Sequence, residues 1–360
     1  MKMKNKILTL GLITMSLMMT NCSNNDDSPT IDDSKDKLHT AVITDLTGNI
    51  IIETYKELNN KAIALDKAIS TFNTTSTQQN LELAKKAWVD TRIPWELSEG
   101  FLYGPVETNG IDPAMDTWPV DVEAMNNILK SNQKITPSLI SSNNEARGFH
   151  LIEFLLWGED GAKKAEQITA RQKEYLKAAS EDLQNNTKFL YNEWKSDGGN
   201  YAAVFNTAGM GSKKYPSRIA ALEEIVEGLI TISDEVATGK IEDPLNPEGS
   251  SPFPEKEESR FSNNSKQDFI DNIKGIENVY LGKYNKQVKG LSTLVAEKNK
   301  ALDNEVKAAI TTAIKDIEAI PGTFTQAIYK NRPQVIKAQN SVNELTKLLK
   351  SKLKPFINSL

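Results

Sequence analysis

From about Leu46 to the end of the chain, apolar residues return every three or four positions and long alternating patterns are absent. That period belongs to helices packed by one face, and it argues against an extended sheet. The clearest instance is ALDNEVKAAITTAIKDIEAIPG, in which Leu302, Val306, Ile310, Ile314 and Ile317 share a face before Pro321 and Gly322 end the run. The closing segment repeats the pattern with Val335, Ala338, Val342, Leu345 and Leu349. The same reading predicts helices over 46–73, 77–103, 118–131, 146–157, 163–195, 214–238, 266–281, 286–318 and 323–355. Long helices on short turns favour antiparallel bundles, and 360 residues exceed the usual size of one core. The expectation is an all-α protein of two antiparallel four-helix bundles, residues 41–210 and 211–360. They would meet at AGMGSKKYPSR (208–218), where two glycines and a proline interrupt the pattern. A second irregular stretch, KIEDPLNPEGSSPFPEKEESRFSNNS, lies inside the C-terminal half, and loops of that length in compact domains are often functional. A faint echo between SEGFLYG (98–104) and IENVYLG (276–282), each expected to close a helix at its glycine, hints at an internal duplication.

The N-terminus reads MKMKNKILTLGLITMSLMMTNC, three lysines followed by an apolar run from Ile7 to Met19. That run is shorter than the roughly 20 residues that span a bilayer, so residues 1–21 read as an export signal. Cys22 is the only cysteine, which excludes an internal disulfide and points to lipidation of the new N-terminus, although Asn21 stands where a small residue is usual. The following CSNNDDSPTIDDSKDK is too polar to fold alone and reads as a tether over 22–40. Losing three lysines and no acid from a net charge of −5, the mature chain would carry −8. An acidic chain with no basic run is a poor partner for nucleic acid. Contact with a membrane is expected through the lipid, at the outer membrane and facing either the periplasm or the outside.

The stretch ARGFHLIEFLLWGED sets His150 and Glu153 three residues apart among apolar neighbours. A helix apolar on all sides is buried, so the pair must find partners inside the protein. Gly148, one turn back, removes a side chain and allows close approach. Upstream, Arg92, Glu96 and Glu99 fall along one helical stripe in a segment rich in carboxylates and tryptophans. A buried His–Glu hydrogen bond and an exposed ion-pair ladder would explain both features without any ligand.

GFHLIE also matches the GxHxxE signature of imelysin-like proteins. The blocks TRIPWELSEGFLYGPVE with GIDPAMDTWPVD, and ESRFSNNSKQDFIDNIKGIENVYLG, in the same order, extend the resemblance over most of residues 40–355. The resemblance implies an exported, all-helical protein of two four-helix bundles, often lipid-anchored in Bacteroidetes-type bacteria and associated with iron acquisition, in a family that also carries a peptidase label. It places the functional site at Gly148, His150 and Glu153, near the contact between bundles. It further implies that Glu99 and Asp112 complete a metal site with the pair, with Glu96 as a substitute for either. Glu258, Arg260, Ser262 and Asn272 are its candidates for the opposite wall, beside Arg92.

Three readings stay open. One imidazole with several carboxylates is an oxygen-rich donor set that suits iron better than zinc, giving a metal-binding protein of iron uptake that serves iron-transport components. A metallopeptidase is the second, but helical zinc peptidases place two histidines at HExxH, and this chain has two histidines in all, His39 and His150, far apart. The third is a ligand-binding lipoprotein with a structural His–Glu pair and a pocket of Trp95, Tyr103, Trp118 and Trp157.

Overall fold

The computed structural model describes residues 33–360 apart from positions 247 and 250. The expected signal segment, Cys22 and the first part of the tether lie outside the described residues. Among the described residues the protein is all-α, with an isolated bridge between Lys283 and Gln287 and no strand. No helix among them is long and apolar enough to cross a membrane.

Helix α1 (Asp33–Leu46) starts inside the stretch expected to be tether. Val42 and Leu46 are buried, Leu38 packs beside them, and His39 is only 6% exposed. Four-residue spacing gives α1 an apolar stripe that its many Asp and Lys residues conceal in the composition. A π-helical turn, Thr47–Ile51, carries the chain on into α2 (Ile52–Thr74). Helix α3 (Gln78–Ser98) begins where the Thr77 hydroxyl accepts a bond from the Asn80 amide. It continues as a 3₁₀ turn, Glu99–Phe101. After the short α4 (Ile111–Asp116), the helix expected over 118–131 shrinks to Val122–Lys130, capped by Asp121. Then come α5 (Gly148–Trp157) and α6 (Ala170–Trp194). The capping box of Thr169 and Gln172 starts α6 several residues later than the apolar pattern implied.

Helix α7 (Arg218–Glu235) follows the glycine-bearing linker and runs into a second π-helical turn, Val236–Ile241. Next is α8 (Ser265–Leu281). The run 286–318 is split, because Asn299 leaves the helix to cap α9 (Lys300–Glu318) through its side chain. The last run is split at Asn331, and α10 (Arg332–Leu348) has Pro333 in its first turn, where the missing N–H cannot extend the preceding helix. Gly282 closes α8 as the echo suggested. Gly104 instead lies beyond the 3₁₀ turn and opens the short helix Pro105–Thr108, so the two halves of the echo differ locally.

Helix α2 packs on α3 and α6, and α5 fills the space between α3 and α6. In the C-terminal half α9 packs on α8 and α10, and α7 on α8 and α10. The buried faces are those the period marked, Leu302, Val306, Ile310 and Ile317 on α9 and Val335, Ala338, Val342 and Leu345 on α10. Each of the Val, Leu and Ile side chains contributes roughly 1.5–3 kcal/mol. Helices α3 and α8 cross where the two groups meet. Gly275 permits that crossing, since a Cβ there would lie 2.5 Å from the Leu97 carbonyl oxygen.

Candidate functional site

On α3, Arg92 and Glu96 are one turn apart and face α8 and α5. The 3₁₀ turn that follows α3 brings Glu99 to the same side, and all three side chains are buried. Helix α4 ends at Asp116, whose Oδ2 accepts a 2.5 Å hydrogen bond from the Trp95 indole. The loop before α8 supplies Glu258 and Ser262, α8 itself supplies Asp268 and Asn272, and the π-helical turn after α7 supplies Lys240. That loop holds Ser259 at φ +52° and Asn263 at φ +59°, conformations rare outside glycine and asparagine.

Helix α5 enters this cluster at Gly148, whose φ is +75°. A Cβ at that point would lie 2.3 Å from the Met115 carbonyl oxygen, so only glycine lets α5 begin directly beneath α4. His150, two residues on, is fully buried. Its Nδ1 lies 3.0 Å from Glu153 Oε2. Glu153 Oε1 in turn accepts from the Ser262 amide and hydroxyl, each at 2.7 Å. Both carboxylate oxygens are therefore engaged, and Glu153 fixes the ring instead of sharing its open nitrogen. That open nitrogen, Nε2, points between Asp116 Oδ1 at 3.1 Å and Glu258 Oε1 at 3.6 Å. Neither contact has the geometry of a hydrogen bond, and Nε2 is a buried polar atom with no hydrogen-bond partner, held near Asp116 by charge alone. The Trp118 ring covers the imidazole edge-on at 5.1 Å between centroids.

Arg92 is wholly buried and meets four carboxylates. It donates to Asp116 and Glu96, to Glu258 at 2.7 Å and to Asp268 at 3.5 Å. Lys240 Nζ sits 2.9 Å from Glu99 Oε2, 3.1 Å from Glu258 Oε2 and 3.2 Å from Glu96 Oε2. Asn272 Nδ2 braces two of these glutamates, at 2.7 Å from Glu96 Oε2 and 3.0 Å from Glu99 Oε2. Five acids, the buried Glu96, Glu99, Glu258 and Asp268 and the partly buried Asp116, thus share Arg92 and Lys240.

The acids divide electrostatically. For Asp116, burial pushes the carboxyl up but Arg92 overrides it and holds it far below the usual range. For Glu258, burial is overridden by Lys240 and the carboxyl is held at about 2. Burial wins at Glu96, Glu99 and Asp268, which are raised despite the same cations. Burial draws His150 down, but the surrounding carboxylates of Asp116, Glu153 and Glu258 outweigh it and hold the imidazole well above its ordinary range. The two firmly ionised carboxylates are the ones that flank His150 Nε2.

The sequence singled out His150, Glu153, Glu99 and Asp112 as ligands, and their positions differ. Donor atoms of Asp116, His150 and Glu258 lie within 4.8 Å of one another, as do those of Glu96, Glu99 and Asp116 and those of Glu96, Glu258 and Asp268. Glu99 belongs to the Lys240 side of the cluster. Asp112 is one turn before Asp116 and lines a cleft of about 260 Å³ that opens from the site, with Glu235, Asp243 and Lys256 around it. Burial, and Asp116 next to it, raise its carboxyl to about 6. Arg260 turns away, donating to Glu159 at 2.5 Å and covering the Phe261 ring. Arg92, Glu96, Glu258, Ser262 and Asn272 are in the site. Asp116, Lys240 and Asp268 were not singled out.

The orphaned imidazole nitrogen, set between ionised carboxylates in a cluster with more acids than cations, fits a hard metal cation. The chain is 28% identical over 314 residues, 86% of its length and 84% of the relative's, to iron-regulated protein A of Synechococcus elongatus. A solved structure described as an iron-regulated protein A precursor from Parabacteroides distasonis superposes with a TM-score of 0.81 at 26% identity, covering 90% of this chain and 95% of that one. An imelysin-like protein from Psychrobacter arcticum shares the fold, with a TM-score of 0.75 at 14% identity over 89% of this chain and 96% of that one. The imelysin family model matches residues 51–352, which contain every residue of the cluster, and the chain belongs to the imelysin family.

Proposed function

We propose that the protein binds a metal cation, iron first, through His150 Nε2, Asp116 and Glu258, and that it serves iron acquisition as an exported lipoprotein attached at Cys22 to the outer membrane. The observation that carries the metal reading is the buried, unpartnered His150 Nε2 between two ionised carboxylates. In it Glu153 and Ser262 orient the imidazole, Trp95 orients Asp116, and Trp118 shields the ring from water. One nitrogen among carboxylate oxygens favours iron or manganese over the nitrogen- and sulfur-rich sites typical of zinc. The iron connection draws support from the relatives named for iron regulation. Iron-transport components are the partners this role requires. The anchor rests on the apolar N-terminal run and the single cysteine.

The test is a titration of chelator-stripped protein with manganese(II) and, anaerobically, iron(II), beside a His150→Ala variant. Near-stoichiometric binding that disappears in a variant with unchanged helical circular dichroism is the expected result. A wild-type protein that binds neither metal would sink the reading.

A further inference from the structure

Of the cations within the cluster, Arg92 is closed in on all sides and tied to four carboxylates. Lys240 differs in three ways. Its ammonium occupies the point where Glu96 and Glu99, at the end of α3, converge with Glu258 from the loop before α8. It lines the cleft that leads out past Asp112 and Glu235. It rides on a π-helical turn beside Gly239, where a Cβ would have only the Glu235 side chain for a neighbour, at 3.8 Å. Extra-residue turns of this kind often sit at functional sites.

Glu258 connects the two halves of the cluster. Its Oε1 lies 3.6 Å from His150 Nε2 and also accepts from Arg92 at 2.7 Å and Lys240 at 3.4 Å, and its Oε2 lies 3.1 Å from Lys240. A metal held by His150 and Glu258 would bring a second positive charge against the ammonium in a poorly solvated space, where like charges repel strongly. Both cannot remain. We infer that Lys240 is a built-in occupant of the site, an ammonium that an entering metal displaces from Glu258, Glu99 and Glu96 into the cleft. This rests on the metal reading above and adds to it a specificity-determining residue.

The exchange sets a charge threshold. A monovalent ion replacing the ammonium gains no charge and gives up its own hydration, so the swap is unfavourable. A divalent or trivalent ion held by His150, Asp116 and Glu258 brings at least one further unit of positive charge to the cluster of acids. Lys240 therefore makes the site refuse sodium and potassium and admit multivalent cations. In the free protein it also keeps the three glutamates from repelling one another.

Two measurements test this. The first titrates wild-type protein and Lys240→Met with manganese(II), in low salt and in potassium chloride. The expected results are at least tenfold tighter manganese binding by the variant and a loss of that gain as potassium rises, while the wild type responds little to potassium. The second needs no variant: wild-type protein is acetylated with and without manganese(II), and Lys240 is followed by mass spectrometry. Lys240 should be protected in the metal-free protein and react several-fold faster once manganese is bound. Unchanged or weaker binding by a folded Lys240→Met, or Lys240 equally protected in both states, would overturn the inference. If the wild type binds manganese but Lys240 behaves so, only the displacement fails. If the wild type and His150→Ala both bind nothing, the metal site itself fails.

Discussion

Replacing Gly148 by alanine tests how tightly α5 and α4 are fitted. Two costs can be worked out separately. At φ +75° an L-residue is in the left-handed region, which costs about 1–2 kcal/mol. The new Cβ would also fall 2.3 Å from the Met115 carbonyl oxygen and 3.1 Å from that of Ala114, and both neighbours are backbone. Such overpacking costs about 1–3 kcal/mol. Gly148→Ala should therefore lose about 2–5 kcal/mol, a large part of the total for a marginally stable fold. Urea unfolding followed by circular dichroism measures it, with Gly48→Ala as control. Gly48 lies in the helical run joining α1 and α2 with nothing within 4 Å of its Cβ position, so alanine there should be neutral or stabilising by up to about 1 kcal/mol. Because Met115 precedes Asp116, the displaced carbonyl should also draw Asp116 away from His150, and manganese affinity in the surviving folded protein should fall. A Gly148→Ala protein within 1 kcal/mol of wild type would refute the close fit and the role assigned to this glycine.

Arg92→Met should be among the most damaging single changes, because Glu96, Asp116, Glu258 and Asp268 all lose a buried partner. Removing one side of such a network costs about 3–5 kcal/mol, and a loss under 1 kcal/mol in urea unfolding would contradict the burial described. Away from the site, Asp303 is held at about 2, below its ordinary 3.8, by Lys300, Ser292 and Lys307 against the opposing effect of burial. A carboxyl depressed on folding contributes stability that is complete above the unfolded value and disappears as pH falls through the folded one. Wild type should lose about 1–2 kcal/mol relative to Asp303→Asn between pH 4 and pH 2, with solvent screening by the half-exposed lysines keeping the figure low. Parallel stability curves for the two proteins over that window would exclude this coupling.

The helical class was readable from spacing alone, because the apolar faces of α9 and α10 repeat without interruption. Helix ends were not, since a cap depends on one side chain leaving the helix, as Asn299 does. Gly148, His150 and Glu153 could be picked out because polar groups in an apolar helix must be satisfied. Which acids answer His150 could not. Asp112 and Asp116 are one turn apart on α4, and only the angle at which α4 crosses α5 decides that the second reaches the ring. A signal was present in Trp118, two residues beyond Asp116, an aromatic that packs on His150. Lys240 was hidden by its π-helical turn, where the extra residue shifts every following side chain off the 3.6 period. Asp268 lies one turn before Asn272, and that spacing alone would have placed it beside a residue already singled out.

The cluster joins positions remote along the chain. Arg92 meets Asp268 across 176 residues, and Lys240 meets Glu96 across 144. Contacts of such separation require large loops to close and form late on the route to the native state. A partly folded chain therefore presents these acids singly and in water, where each is a weak ligand. Capture of a cation requires α8 and the turn after α7 to have docked against α3 and α5, so the site reports the meeting of distant segments as well as the presence of metal.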